Sequence, residues 1–173
     1  MLIYLQIIES DEDKKKFTRL YHRYRNIMFW KANSVLNNVR DAEDAVQQAF
    51  VKVAEHIQSI DDSIEPRVRN YLVIIAEHKA IDIYRRKQRI ARHEVDLDAL
   101  KGLSITYEGN NRLTRCMTNL PVKYRQVMLL KYVHGASTEE IADLLDISTA
   151  NVHKIHQRAK KKLEILYYGE DRI

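Results

Sequence analysis

Glycine and proline are scarce in this chain. Four Gly and two Pro among 173 residues leave little material for tight turns and argue for helices. A single cysteine, Cys116, excludes an internal disulfide and fits a reducing cytoplasm. It shares a helical stripe with Leu113, Met117 and Leu120, so it reads as a small core residue. No apolar run is long enough to span a bilayer; the opening MLIYLQIIES is far too short and has neither the basic flank nor the small-residue cleavage site of a secretory signal. Neither export nor membrane insertion is expected, and the segment should pack against the first domain. Phosphate loops and nucleophile elbows are also missing. Seven histidines invite a metal reading. His78 with Asp82, and His153 with His156, have ligand spacing on a helix, but no third Cys, His or carboxylate stands at a motif spacing. No metal, cofactor or catalytic residue is therefore expected.

What is present is basic and periodic. A net charge of +5 and a pI near 9.2 favour a polyanionic partner. The most informative stretch is GASTEEIADLLDISTANVHKIHQRAKKKL, residues 135–163. Ser137 and Glu140 form a capping box that opens a short helix, whose apolar face is Ile141, Leu144 and Leu145. Asp146-Ile147 is the turn, and Ser148 caps a second helix. Val152, Ile155, Ala159, Leu163 and Leu166 fall on one stripe of it. Thr149, Asn151, His153, Lys154, Gln157, Arg158 and Lys161 lie on the other faces. A helix packed on one side and carrying cations and amides on the other suits a DNA major groove. Lys and Arg reach guanine edges, Asn and Gln adenine edges, and the remaining cations phosphates.

The first half is amphipathic. Ser10 followed by Asp11, Glu12 and Asp13 starts a helix. Phe17, Leu20, Tyr21, Tyr24, Ile27 and Met28 give its core face, and a second periodic run through Ala32, Val35 and Leu36 ends at a turn at Asn37-Asn38. Asp41 opens DAEDAVQQAFVKVAEHI, with Ala42, Ala45, Val46, Ala49, Phe50, Val53 and Ile57 buried. Its other face, Asp44, Gln47, Gln48, Val51 and Glu55, is either a solvated or a protein-docking surface. A loop from Gln58 to Asn70, containing Pro66, is long enough to be a binding loop. The next helix, from Tyr71, buries its first half, while Lys79, Arg85, Arg86 and Arg89 line one side. Asp82 is spaced to brace Arg85 and Arg86.

Residues 93–111 break the pattern. They carry Glu94, Asp96, Asp98 and Glu108 with Gly102 and Gly109, and read as an acidic, flexible interdomain linker. At full extension about 19 residues reach about 60 Å. Three parts follow: a helical domain over 1–92, the linker over 93–111, and a helix-turn-helix domain over 112–173. The fold class is all-α, two small helical domains.

DAEDAVQQAF, YLVIIAEHKAIDIYRRKQR and LPVKYRQVMLLKYVHGASTEEIADLLDISTANVHKIHQRAKKKL, in that order, resemble the signature stretches of bacterial RNA polymerase sigma factors. The two-domain length is similar to the extracytoplasmic-function (ECF) group of the sigma-70 family. The resemblance implies that the first domain binds the clamp helices of the polymerase largest subunit through Asp44, Gln47 and Gln48. It further implies that this domain opens the minus-ten element, with the 58–69 loop taking an unstacked base and Lys79, Arg85, Arg86 and Arg89 near the DNA. The second domain would bind the polymerase flap and set Ser148, Thr149, Asn151, His153, Lys154, Gln157 and Arg158 into the minus-thirty-five element. Core RNA polymerase and promoter DNA are thus the implied partners, with an anti-sigma factor as an optional third. Gln48 stands where a Glu is common, Tyr71 where Trp is frequent, and Asp146 where Gly is usual. The competing assignment is a stand-alone helix-turn-helix regulator that binds duplex DNA without polymerase.

Overall fold

A computed structural model describes residues 2–90 and 112–169. The linker expected at 93–111 lies outside the described residues. The chain divides into two compact units, Met1–Val95 and Asp96–Ile173. Among the described residues every regular element is a helix.

Unit 1 contains α1 (Leu2–Leu5), α2 (Asp11–Leu36), α3 (Val39–Glu55) and α4 (Glu65–Ile90). Ser10 Oγ accepts the Asp13 N–H at the start of α2, where three acids sit in the positive first turn. The two periodic runs join in one helix that ends at Asn37. This residue takes the left-handed conformation, φ 46°, and donates its N–H to Asn33. Asn38 Oδ1 then accepts the Asp41 N–H at 3.0 Å and caps α3, which therefore begins two residues before Asp41. α4 differs more from expectation, because it starts at Glu65 rather than Tyr71. Pro66 occupies its first turn, where the missing N–H has no helical partner to lose. A single 3-10 turn, Ile57–Ser59, follows α3, so the loop proper shrinks to residues 60–64.

Helices α2, α3 and α4 pack against one another, and Phe17, Met28, Phe50, Leu72, Ile74 and Ile75 are fully enclosed between them. The N-terminal segment packs on this core as expected: the Tyr4 ring lies 5.5 Å from Phe17 and 6.2 Å from Phe50. Every residue from Tyr71 to Ile81 is buried. A run apolar on all its faces is covered on all its faces, and it takes three polar residues inside with it. Glu77 meets Lys31 Nζ of α2 at 2.7 Å, and His78 Nε2 pairs with Asp82 at 3.1 Å.

Unit 2 contains α5 (Arg112–Thr118), α6 (Val122–Tyr132), α7 (Thr138–Leu144) and α8 (Thr149–Tyr168). Leu120, Met128 and Ala159 form part of its core, with Met117, Tyr124, Leu163 and Leu166 against them, and Cys116 is buried. Pro121 sits immediately before α6, and Gly135 turns the chain after it at φ 70°, a conformation that favours glycine.

Candidate nucleic-acid and polymerase surfaces

The helix-turn-helix is built by local bonds. Ser137 Oγ accepts the Glu140 N–H at 3.0 Å and Glu140 Oε2 accepts the Ser137 N–H at 2.7 Å, which completes the capping box of α7. α7 ends in a Schellman motif. The Asp146 N–H donates to Asp143 at 3.2 Å and the Ile147 N–H to Ala142 at 2.9 Å, with Asp146 itself at φ 46°. An aspartate thus takes the left-handed position that glycine usually fills. Two residues on, Ser148 Oγ accepts the Asn151 N–H at 3.2 Å and opens α8.

Val152, Ile155 and Ala159 are buried and fix the rotation of α8. Ser148, Thr149, His153, Lys154, Gln157 and Arg158 are exposed, and Asn151 is half-buried. The structure therefore brings the predicted groove-facing residues onto the free side of one helix. His156 points elsewhere. Its Nε2 lies 2.8 Å from the Tyr132 hydroxyl of α6, and burial, then Lys131, Lys160 and His153, push its ring below the ordinary imidazole value. This contact joins α8 to α6.

In unit 1, Asp44, Gln47 and Gln48 are exposed along α3, whereas Val51 is half-buried. The basic face of α4 needs correction. Lys79 is only 6% exposed, enclosed within the stretch that α2 and α3 cover, so it does not line a DNA surface. Arg86 and Arg89 are exposed and Arg85 is half-buried. Asp82 sits 3.8 Å from Arg85, a loose contact, and is engaged mainly by His78. Burial raises the Asp82 carboxyl, but the hydrogen bond and charge of His78, with Arg85 and Lys79, outweigh it and hold it below the usual range. Lys87 pairs with Asp41 and ties the basic end of α4 to the start of α3.

One group is absent from the sequence-based expectations. Lys16, Arg19 and Arg23, on one stripe of α2, all reach the 57–65 segment. Lys16 Nζ donates to the carbonyls of Ile57, at 3.0 Å, and Ile60; Arg19 meets Asp62 at 3.1 Å and Arg23 meets Glu65 at 2.6 Å. Their spacing of three and four is the available signal, on the flank of α2 beside Phe17, Leu20 and Tyr24.

Residues 20–90 match the family model for sigma-70 region 2, and residues 110–163 match that for sigma-70 region 4. Among curated proteins, the ECF RNA polymerase sigma factor SigW of Bacillus subtilis is 26% identical, covering 93% of this chain and 95% of that protein. The ECF sigma factor SigM of the same organism is 28% identical over 86% of this chain and 93% of its own length. A solved structure, the sigma factor RpoE in complex with the anti-sigma factor NepR from Bartonella quintana, aligns at TM-score 0.43 and 17% identity over 88% of this chain and 96% of that one. With both regions in order, the chain belongs to the sigma-70 family of RNA polymerase sigma factors, within its ECF group. Its partners are core RNA polymerase and promoter DNA, and it directs promoter-specific initiation; sigma factors are initiation factors rather than enzymes. Among the described residues no helix is long and apolar enough to cross a membrane.

Proposed function

We propose a division of labour between the two units. The domain over 1–92 docks on the clamp helices of the polymerase largest subunit through Asp44, Gln47 and Gln48. It then opens the minus-ten element, with the 60–64 loop receiving an unstacked base and Arg85, Arg86 and Arg89 beside the DNA backbone. The domain over 112–173 engages the flap and sets Ser148, Thr149, Asn151, His153, Lys154, Gln157 and Arg158 against the minus-thirty-five element, the linker at 93–111 running between them. The protein acts in the cytoplasm without cofactor, metal or catalysis of its own, with an anti-sigma factor as a further partner. The observation that carries this assignment is the free basic and amide face of α8, held outward by Val152, Ile155 and Ala159. A stand-alone regulator is not favoured, because the region 2 match occupies the half where a ligand-sensing module would lie.

Docking is tested with the double variant Gln47→Ala and Gln48→Ala. Both side chains are exposed on α3, so their loss should not open the core. Competition of the variant against wild type for core polymerase should show weakened association with an unchanged circular dichroism spectrum. Equal competition would assign this face to solvent.

A further inference from the structure

We infer that Lys16 is a positioning residue for promoter reading: it latches the 60–64 loop to α2 and holds it ready to receive a base. The inference rests on the assignment of that loop to the minus-ten element.

The chain leaves α3 at His56 and makes one 3-10 turn before reaching the loop, so several carbonyls at this end lack the next helical turn. Lys16 Nζ donates to two carbonyls just beyond this end, on Ile57 and Ile60, across more than 40 residues of sequence. A cation at a helix C-terminus is also favoured by the backbone dipoles. The same two residues bury their side chains in unit 1, at 3% and 6% exposure. Each is thus held at both its side chain and its carbonyl. Farther along, Arg19 takes Asp62 and Arg23 takes Glu65. Those pairs are largely exposed and contribute little to stability, but they follow the loop to the first turn of α4. Within the loop, Asp61 Oδ1 accepts the Ser63 N–H at 3.0 Å. The hydrogen bonds from Ser63 hold the Asp61 carboxyl below its usual range, so the turn is charged and closed at neutral pH.

The outcome is a short loop anchored along α2, with Ser63 and Ile64 exposed where it enters α4. A loop already in its bound shape loses less conformational freedom when it receives a ligand. In this arrangement Lys16 acts through the loop.

The test uses holoenzyme reconstituted with full-length protein and single-stranded oligonucleotides carrying either a minus-ten sequence or the same sequence with one base replaced. Four proteins are compared: wild type, Lys16→Met, the loop variant Ser63→Ala with Ile64→Ala, and the combination of all three changes. Lys16→Met keeps most of the aliphatic stem and removes the donor. It should lower the preference for the minus-ten oligonucleotide by about tenfold, and its effect should shrink in the loop-variant background, because coupled positions are not additive. Lys16→Arg, which retains donors, should recover part of the preference. A merely structural lysine would lower the melting temperature and leave the preference unchanged, and that result would overturn the inference. If the loop variant has wild-type preference, the loop is not the reader and both assignments fall. If the loop variant loses preference while Lys16→Met keeps it, only the latch falls.

Discussion

Helices α4 and α8 are both long, both rich in cations, and look alike as strings of letters, yet they use their charges in opposite ways. α8 has one buried stripe, so Lys154 and Arg158 stand free on the side away from Ile155 and Ala159. α4 lies against both α2 and α3, and everything from Tyr71 to Ile81 is enclosed, Lys79 and Glu77 included. A basic residue on a helix is a DNA contact only where the helix has a free side. The number of apolar faces, rather than the number of cations, decides this.

The largest effect expected from that contrast is on stability. Lys31 and Glu77 form a buried pair, so Glu77→Ala should destabilise unit 1 by about 3–5 kcal/mol, since the buried Lys31 charge loses this carboxylate. Thermal or urea unfolding measures this; a loss under about 1 kcal/mol would mean that water reaches the pair.

Next comes DNA affinity. Lys154→Ala should cost about 1–3 kcal/mol and relax selectivity at one upstream base pair, if the amine reads a base edge. Arg158→Ala, where the contact is to phosphate, should weaken all upstream sequences alike and reduce the salt slope by about one unit. Lys79→Met should change neither slope nor selectivity, because its amine is enclosed. Salt titrations of holoenzyme binding separate the three; a slope change in Lys79→Met would break the contrast between the helices.

The smallest effect is a pH dependence. His156 has its folded pKa lowered by burial and by nearby cations. The folded protein then binds fewer protons at this ring than the unfolded chain does. Its contribution is full above the unfolded value of about 6.5 and is lost as pH falls through the folded value. The melting temperature of unit 2 should therefore fall more between about pH 7.5 and 5.5 in wild type than in His156→Gln. Parallel curves would remove His156 from the account.

Much of this is legible in the sequence. Ser10, Ser137 and Ser148 are caps because their neighbours leave N–H groups that a hydroxyl can meet, and such local chemistry can be read from adjacent letters. The free face of α8 was readable for the same reason, since one apolar stripe implies one exposed side. The burial of Lys79 is not legible there, because a helical wheel shows spacing and does not show how many partners cover the helix. The start of α4 was missed by six residues because Pro66 signals a loop as readily as a first turn. The Lys16 latch depends on residues more than 40 positions apart, and only the packing of α2 beside the 57–65 segment brings them together.

The central claim is that the two units read different promoter elements through separate surfaces. Transcription by reconstituted holoenzyme from an intact promoter and from the same promoter already melted at the minus-ten element tests it most directly. Lys154→Ala should lose about tenfold or more on the intact template, where upstream recognition brings the polymerase to unopened DNA. Its rate of forming product from the pre-melted template, measured at saturating holoenzyme, should stay near wild type. An equal loss on both templates would contradict the division of labour.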